Sequence, residues 1–353
     1  MTQRKGKKNE GVARLIKMSP VAETLSPSEV ALPEVAAPSL TELKVLVPAP
    51  SEISADELVQ RLHEKTRAVG TMKDRSMGDA LSAGDEVLLD VLGYADGKLI
   101  PFSPRFNWWT ELAPIPALPG LMEGVATAHV GDSLELKVTL PANYPVESLR
   151  ERPVRFVVDV LGAREVIAPE VGSKAFFEGL GLGDSLDEVM DRVREELEEE
   201  RSAELTVLGR ELVLDEVARR TTVELPKELV DDEIKRRWAQ IEGPALVAHQ
   251  FTADEQKEAR DGWLADPVTR AECERRLKVG MALRAVAQAE KLEPQPAELR
   301  TLLAEYAAPW GLSESDLAVA LKESKKTATT LGQLGYYLWI VDHVVSQAQI
   351  ELE

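Results

Sequence analysis

Cysteine, aromatic residues and long apolar runs are all scarce in this sequence of 353 residues. The single cysteine, Cys273, has no partner for an intramolecular disulfide, so a disulfide-stapled fold is excluded and a reducing compartment is expected. No run approaches the ~20 consecutive apolar residues that a membrane helix needs, and no apolar run follows the basic start. The sequence therefore predicts a cytoplasmic protein without a membrane span.

The sequence also lacks the signatures of metal, nucleotide and nucleophilic chemistry. Its four histidines are far apart and show neither a Cys-x-x-Cys nor a His-x-x-x-His spacing. A Gly-x-x-x-x-Gly-Lys-Ser/Thr loop for nucleotide phosphates is absent, and so is a Gly-x-Ser-x-Gly elbow. We therefore expect no cofactor, no metal and no assignable catalytic residue.

Basic residues are outnumbered by acidic residues in this sequence, except at the amino terminus. The chain has 42 Lys and Arg against 61 Asp and Glu, a net charge of −19, which disfavours a nucleic-acid partner. Residues 1–17 alone carry a charge of +5, and prolines follow up to residue 38. The sequence predicts a disordered basic and Pro-rich tail over residues 1–40. A weak tether to RNA or to an acidic surface is the alternative interpretation of this tail.

Residues 84–165 alternate apolar and polar side chains, which is typical of β-strands. The alternation covers residues 87–91, 134–140 and 155–160, and turns are expected at 94–97 and 131–132. A short helix is expected after Pro119-Gly120. These features predict a small α+β unit.

Helical periodicity dominates from Ser185 onward. Capping boxes at Ser54/Glu57, Ser185/Glu188 and Thr252/Glu255 predict three helix starts, and Pro226 predicts a fourth. Further helices are expected from Asp266 to Leu292, at 296–308 and at 314–323. The last helix has an apolar seam from Leu331 to Val345. Short strands are expected near Leu43–Val47 and Ile350–Glu353.

In this order of elements the sequence resembles the bacterial trigger factor family over residues 41–353. The β unit carries "GDEVLLDVLGYADGK" and "PGLMEGVATAHVGDSLELKVTLPANYP". The helical part carries "SLDEVMDRVREELEEER", "VLDEVARRTTVELPKELVDDEIKRRW" and "WLADPVTRAECERRLKVGMALRAVAQAEKL". The resemblance implies an α+β fold in which a small FKBP-like antiparallel domain is inserted into a long-helix chaperone body.

The resemblance also implies a division into domains and a function. A linker strand and first arm helix would occupy residues 41–73, the FKBP-like domain residues 74–166, and the helical chaperone domain residues 167–353. The implied function is an ATP-independent chaperone for unfolded or nascent polypeptides with an FKBP-type peptidyl-prolyl cis–trans isomerase domain. Two alternatives remain: an active isomerase whose arms recruit substrate, and a dedicated assembly protein for one partner with an inactive FKBP-like domain.

Two groups of residues are the candidates for these activities. The candidates for the prolyl-peptide pocket are Phe102, Trp108, Leu118, Leu121, Tyr144 and Phe156. We expect weak isomerase activity, because Ile100-Pro101 stands where the family has a Phe–acid pair and Leu121 stands where it has Trp or Phe. The candidates for client binding are Trp238, Phe251, Trp263, Tyr306, Trp310, Tyr336, Tyr337 and Trp339. Ribosome docking is not expected, since the Gly-Phe-Arg-x-Gly-Lys signature of the family is missing from this sequence.

Overall fold

The computed structural model describes residue 30 and residues 32–144, 146–323 and 325–353. Most of the predicted basic tail lies outside the described residues. The chain forms two compact units. The sheet unit comprises Pro50–Glu204 and Ala245–Gly262, and the helical unit comprises Leu205–Pro244, Trp263–Glu353 and the described residues up to Ala49.

Strands and helices alternate in the first half of the chain, and helices fill most of the second. The strands are β1 Lys44–Val47, β2 Thr71–Asp74, β3 Glu86–Ala95, β4 Lys98–Leu99, β5 Arg105–Glu111, β6 Ser133–Thr139, β7 Pro153–Ile167 and β8 Gln349–Leu352. The helices are α1 Ala55–Ala68, α2 Leu121–Val125, α3 Lys174–Leu180, α4 Leu186–Arg220, α5 Lys227–Ile241, α6 Gly243–Ala248, α7 Ala253–Ala265, α8 Pro267–Ala289, α9 Pro296–Ala307, α10 Glu314–Glu323 and α11 Lys325–Ser346. This mixture confirms the α+β class.

The sheet unit is built on a six-stranded antiparallel sheet. Strand β7 pairs with β2, β3 and β6, and β3 also pairs with β4 and β5. The two-residue turn between β3 and β4 uses Asp96 and Gly97, both with positive φ, as a twisted hairpin requires. Alternation along β3 and β7 sends Val87, Leu89 and Val158 into one apolar core, which α2 covers.

Several details of the sheet differ from the sequence prediction, and the short strands β2 and β4 were not predicted. Strand β7 extends over fifteen residues, whereas alternation indicated only 155–160. Strand β5 was not predicted, because its register against β3 shifts between Leu89 and Val91 and Asn107 has a φ of 51°. A bulge of this kind breaks the two-residue period on which strand prediction depends.

Helix starts in the sheet unit follow the capping signals. The Ser54 N–H donates to Glu57 Oε2 over 2.8 Å, and the Glu57 N–H donates to Ser54 Oγ over 3.2 Å, which confirms the capping box of α1. At α4 the Glu188 N–H donates to Ser185 Oγ, but Glu188 Oε2 accepts from the N–H of Asp184. Helix α1 packs on α3 and α4 through a small apolar cluster of Leu58, Phe176, Val189 and Val193.

The helical unit joins the two ends of the described chain. Strands β1 and β8 pair in parallel, with Lys44 opposite Gln349. One apolar cluster links Leu43 to residues of α4, α8 and α11, and a second cluster links α9, α10 and α11. Within the α11 seam Val344 is fully buried and the predicted Val345 is only half-buried. Two helix ends also differ: Pro226 precedes α5 rather than standing in its first turn, and α8 stops at Ala289, before Leu292.

No helix in the described part of the chain is both long and apolar enough to cross a membrane.

Candidate functional site

Five of the six candidates for the prolyl-peptide pocket belong to one apolar core. Leu121 and Phe156 are buried in it, and Trp108, Leu118 and Tyr144 are half-buried against it. Burial raises the pKa of the Tyr144 hydroxyl, and the Tyr144 carbonyl accepts a hydrogen bond from Arg150 Nε over 2.8 Å. The structure therefore brings these side chains to one side of the sheet.

Local structure explains how three of these side chains are positioned. Phe156 lies on the central strand β7, and its ring is so near Gly93 that a Cβ there would lie 3.0 Å from Phe156 Cε1. Trp108 stands opposite Leu89 across the β3–β5 ladder. Leu121 begins α2 directly after Gly120, whose φ of 91° turns the chain toward the sheet.

Phe102 does not join the other five. It lies in the loop after β4 with a φ of 61°, its side chain is 43% exposed, and its carbonyl accepts a hydrogen bond from Arg105 Nη1. The neighbouring Ile100 is part of the core. The stretch around residues 100–102 therefore offers an aliphatic side chain to the interior and an aromatic ring to solvent.

The eight client-binding candidates divide by burial. Trp263 is fully buried and Trp238 nearly so, while Tyr337 and Trp339 are half-buried against the clusters of the helical unit. Burial raises the pKa of Tyr337 to about 12. Phe251, in the sheet unit, is also half-buried. Only Tyr306, Trp310 and Tyr336 expose more than a third of their surface, at 36%, 37% and 38%.

Helices α9 and α11 of the helical unit form an open groove of about 600 Å³, which Trp339 lines and the three exposed rings do not. The groove is lined by Ala297, Glu298, Thr301, Leu302, Glu305, Trp339, Asp342, His343 and Ser346. The helices approach closely because α11 has Gly335 at the contact: a Cβ there would lie 3.1 Å from Leu303 Cδ1. The lining of the groove therefore combines methyl groups and one indole ring with several carboxylates.

Hydrogen bonds hold the side chains at one end of this groove. The Trp339 and His343 rings stack with centroids 6.1 Å apart, and His343 Nε2 lies 2.7 Å from Glu290 Oε2. Asp342 accepts a hydrogen bond from Arg210 on α4. Sequence reasoning identified Trp339 but missed Leu302 and Thr301, which occur on α9 at helical spacing without any aromatic signal.

Comparison with known proteins gives one family and a set of relatives. Residues 185–345 match the family described as bacterial trigger factor protein C-terminus. A trigger factor of Sphingopyxis alaskensis is 25% identical over 325 residues, which is 90% of this chain and 58% of that protein. A trigger factor of Streptococcus equi subsp. zooepidemicus is 28% identical over 295 residues, 81% of this chain and 68% of the relative.

Among solved structures, one of a trigger factor chaperone was studied for promiscuous substrate recognition in folding and assembly. The alignment covers 89% of this chain and 73% of the chain in that structure. Its TM-score is 0.33 and its sequence identity 14%. The chain spans just over half the length of the first curated relatives it matches.

The fold defines a class of α+β protein in which an antiparallel sheet unit is combined with a long-helix unit. Residues 185–345, which run from the start of α4 to the end of α11, are similar to the C-terminal part of the trigger factor family. The resemblance found in its motifs is thereby confirmed.

Proposed function

We propose that this protein is an ATP-independent molecular chaperone that binds unfolded polypeptides through its helical unit. The observation that carries the proposal is the exposure of Tyr306, Trp310 and Tyr336 on a unit whose other aromatic rings are more deeply buried. Aromatic rings give large contact areas at a low entropic cost, so a few of them can hold many different chains weakly. The similarity of residues 185–345 to the C-terminal part of trigger factor agrees with this function.

Charge supports the same function. With a net charge of −19 the protein repels other copies of itself, which keeps a complex with a sticky client in solution. Apolar contacts contribute about 25 cal/mol for each Å² buried, so several shallow contacts give reversible affinity without a deep pocket. Holding a client in this way requires no catalytic group.

The test is suppression of aggregation by a triple variant. Replacing Tyr306, Trp310 and Tyr336 by Ser should raise the amount of chaperone needed for half-maximal protection about a hundredfold, since three anchors at on the order of 1 kcal/mol each amount to about 3 kcal/mol. The matched control replaces Val59, Met77 and Val171, which are exposed apolar residues of the sheet unit, and should change protection less than about twofold. Equal effects of the two triple variants would contradict the assignment to the helical unit.

The alternative of a dedicated assembly protein predicts a different outcome. Several unrelated denatured proteins should all be protected if the rings act as general anchors. Protection of one protein and none of the others would favour the dedicated binder.

We further propose that the sheet unit is an FKBP-type peptidyl-prolyl isomerase of low activity. Rotation about an X–Pro bond has a barrier of ~18–20 kcal/mol, which falls when a dry, shaped environment weakens amide resonance. Trp108, Leu118 and Tyr144, half-buried around Phe156, offer an apolar surface of that kind. No carboxylate is supplied at positions 100 and 101, which is why the activity should be low.

Two adjacent tryptophans provide a matched test of the isomerase. Trp108 contacts the core, whereas Trp109 exposes 43% of its surface and carries the Arg164 guanidinium 4.3 Å from its ring centre. Trp108→Leu should lower the catalysed rate of proline-limited refolding at least about fivefold, and Trp109→Leu should leave it nearly unchanged. A rate that survives Trp108→Leu would exclude this side of the sheet as the site.

A further inference from the structure

Residues 245–262, here called the latch segment, lie against the sheet within the sheet unit. The His249 ring stacks on Phe106 of β5 with the ring centres 3.6 Å apart and an interplanar angle of 12°. Phe251 meets the same Phe106 ring edge-on, with centres 6.5 Å apart. The latch segment therefore covers Phe106 from two sides.

Polar contacts fix where on the sheet the latch segment lies. His249 Nδ1 is 3.7 Å from Asp90 Oδ2, and Asp90 Oδ1 accepts a hydrogen bond from the N–H of Asn107. Asp90 alternates with Leu89 and Val91, whose side chains enter the core, so its carboxylate lies on the opposite face of β3. The latch segment thus lies against the outer face of the sheet at Asp90.

Two further observations concern the same segment. Burial is the main cause that raises the pKa of Tyr94 on β3, and the negative charges of Glu255 and Glu258 add to it. At the far end of the segment a Cβ on Gly262 would lie 3.7 Å from the Leu99 carbonyl oxygen and 3.9 Å from Pro101 Cγ.

The turn at residues 249–251 is the part of the latch segment that can open, whereas Leu246 and Ala259 on either side of it are buried and remain in place. The turn meets the sheet through aromatic contacts at one phenylalanine and through His249 Nδ1, which lies 3.7 Å from Asp90 Oδ2 without a direct hydrogen bond. A well-formed aromatic pair changes an equilibrium only about threefold to tenfold. The segment begins in the short helix α6 and turns at Gln250, which has a φ of 60°, so a local hinge is already present.

We propose that the latch segment is an autoinhibitory contact in which Phe106 and Phe251 cover one another and unfolded clients compete for the same two rings. This inference rests on the proposed chaperone function. Opening would add a second aromatic surface, on the sheet unit, to the rings of the helical unit.

A reversible disulfide tests the latch directly. Cysteines introduced as Pro101→Cys and Gly262→Cys should join the segment to the loop after β4, since a Cβ at position 262 would lie 3.9 Å from Pro101 Cγ, the position nearest to that of a cysteine sulfur at residue 101. The native Cys273 is buried and does not compete. The probe is a reduced, carboxymethylated protein that remains unfolded in buffer. We expect the oxidised variant to bind this probe about fivefold more weakly than the same variant after reduction.

Two outcomes would overturn the latch: equal binding by the oxidised and reduced forms, or failure of the disulfide to form under oxidising conditions. Failure of the reduced form to bind any unfolded probe would instead refute the proposed chaperone function. The two failures are therefore distinguishable in one experiment.

A second variant acts in the opposite direction. His249→Ala removes the stacked ring but keeps Phe106 and Phe251, so hydrogen exchange over residues 245–262 should accelerate and the Kd for the probe should fall about threefold. The control His129→Ala removes a histidine of the sheet unit that pairs only with Asp132, three residues away, among the described ion pairs. Faster exchange without tighter binding would show that the covered rings do not bind clients, and would overturn the proposal.

Discussion

The sheet unit and the helical unit differ in how they bury their apolar and aromatic side chains. In the sheet unit, Phe156 is buried in one continuous core, and Trp108 and Tyr144 pack against that core. In the helical unit the apolar residues form smaller clusters, and Tyr306, Trp310 and Tyr336 remain exposed. Both units expose some aromatic rings, Phe102 and Trp109 in the first, but only the sheet unit gathers most of its apolar residues into one large core.

Helix α4 shows the physical reason for this difference. Its buried valines occur near its two ends, Val189 and Val193 at one and Val213 and Val217 at the other, and between them only Gly209 is buried. A strand in a sheet has a neighbour on each side, whereas a long helix buries only the stripe that meets another element. Long helices therefore leave apolar residues such as Val207 uncovered, with 60% of the surface exposed.

The largest effect we expect is on the sheet core. Phe156→Ala should lower the free energy of unfolding of the sheet unit by about 3–5 kcal/mol, because it removes a buried ring from the central strand. Hydrogen exchange of β3 and β7 amides measures this loss. The control Phe102→Ala, at an exposed ring of the same unit, should cost less than about 0.5 kcal/mol. Similar losses in both variants would remove the distinction between core and pocket side chains.

A smaller effect separates buried from exposed tryptophans among the client-binding candidates. Trp263→Leu should destabilise the protein by about 2–3 kcal/mol and leave the affinity of the folded protein for clients unchanged. Trp310→Leu should do the reverse, with a stability change below about 0.5 kcal/mol and weaker client binding. Urea denaturation and binding of an unfolded probe check the two parts. Loss of affinity in the Trp263 variant under fully native conditions would restore that residue as a binding candidate.

The smallest effect on stability that we expect is electrostatic and arises near the C-terminal end of α4. Hydrogen bonds from Arg219 and then Arg220 lower the pKa of Glu216 to about 2, from an ordinary value of 4.5. Since the folded pKa is the lower one, the stabilisation is complete above pH 4.5 and is lost as the pH falls toward 2. Glu216→Gln should therefore cost about 0.5–1 kcal/mol at pH 7, a figure reduced by the solvent exposure of Arg219.

Urea titrations at pH 7, 5 and 3 follow this difference, which should shrink at the lowest pH. Glu204→Gln, on the same helix and exposed, controls for the loss of one negative charge. A difference that stays constant from pH 7 to pH 3 would show that Glu216 acts through packing rather than through charge.

The sequence by itself determined the local features of this protein. Capping boxes at Ser54 and Thr252 start helices where predicted, and the Asp96-Gly97 turn lies where alternation stops. These features depend on residues within four positions of one another, so no distant contact can move them far. The motifs that continue in order along the chain likewise indicated the family, although its fold and function came from resemblance rather than from periodicity.

Only the tertiary structure decided which faces were covered. The sequence put Trp263 and Trp310 together in one set of client-binding candidates, but the fold buries the first fully and leaves the second 37% exposed. The pairing of β1 with β8, the bulge in β5 and the stacking of His249 on Phe106 all join residues that are distant in sequence or out of period. A period specifies which residues share a face, and the packing of the whole chain determines whether that face meets another element or solvent.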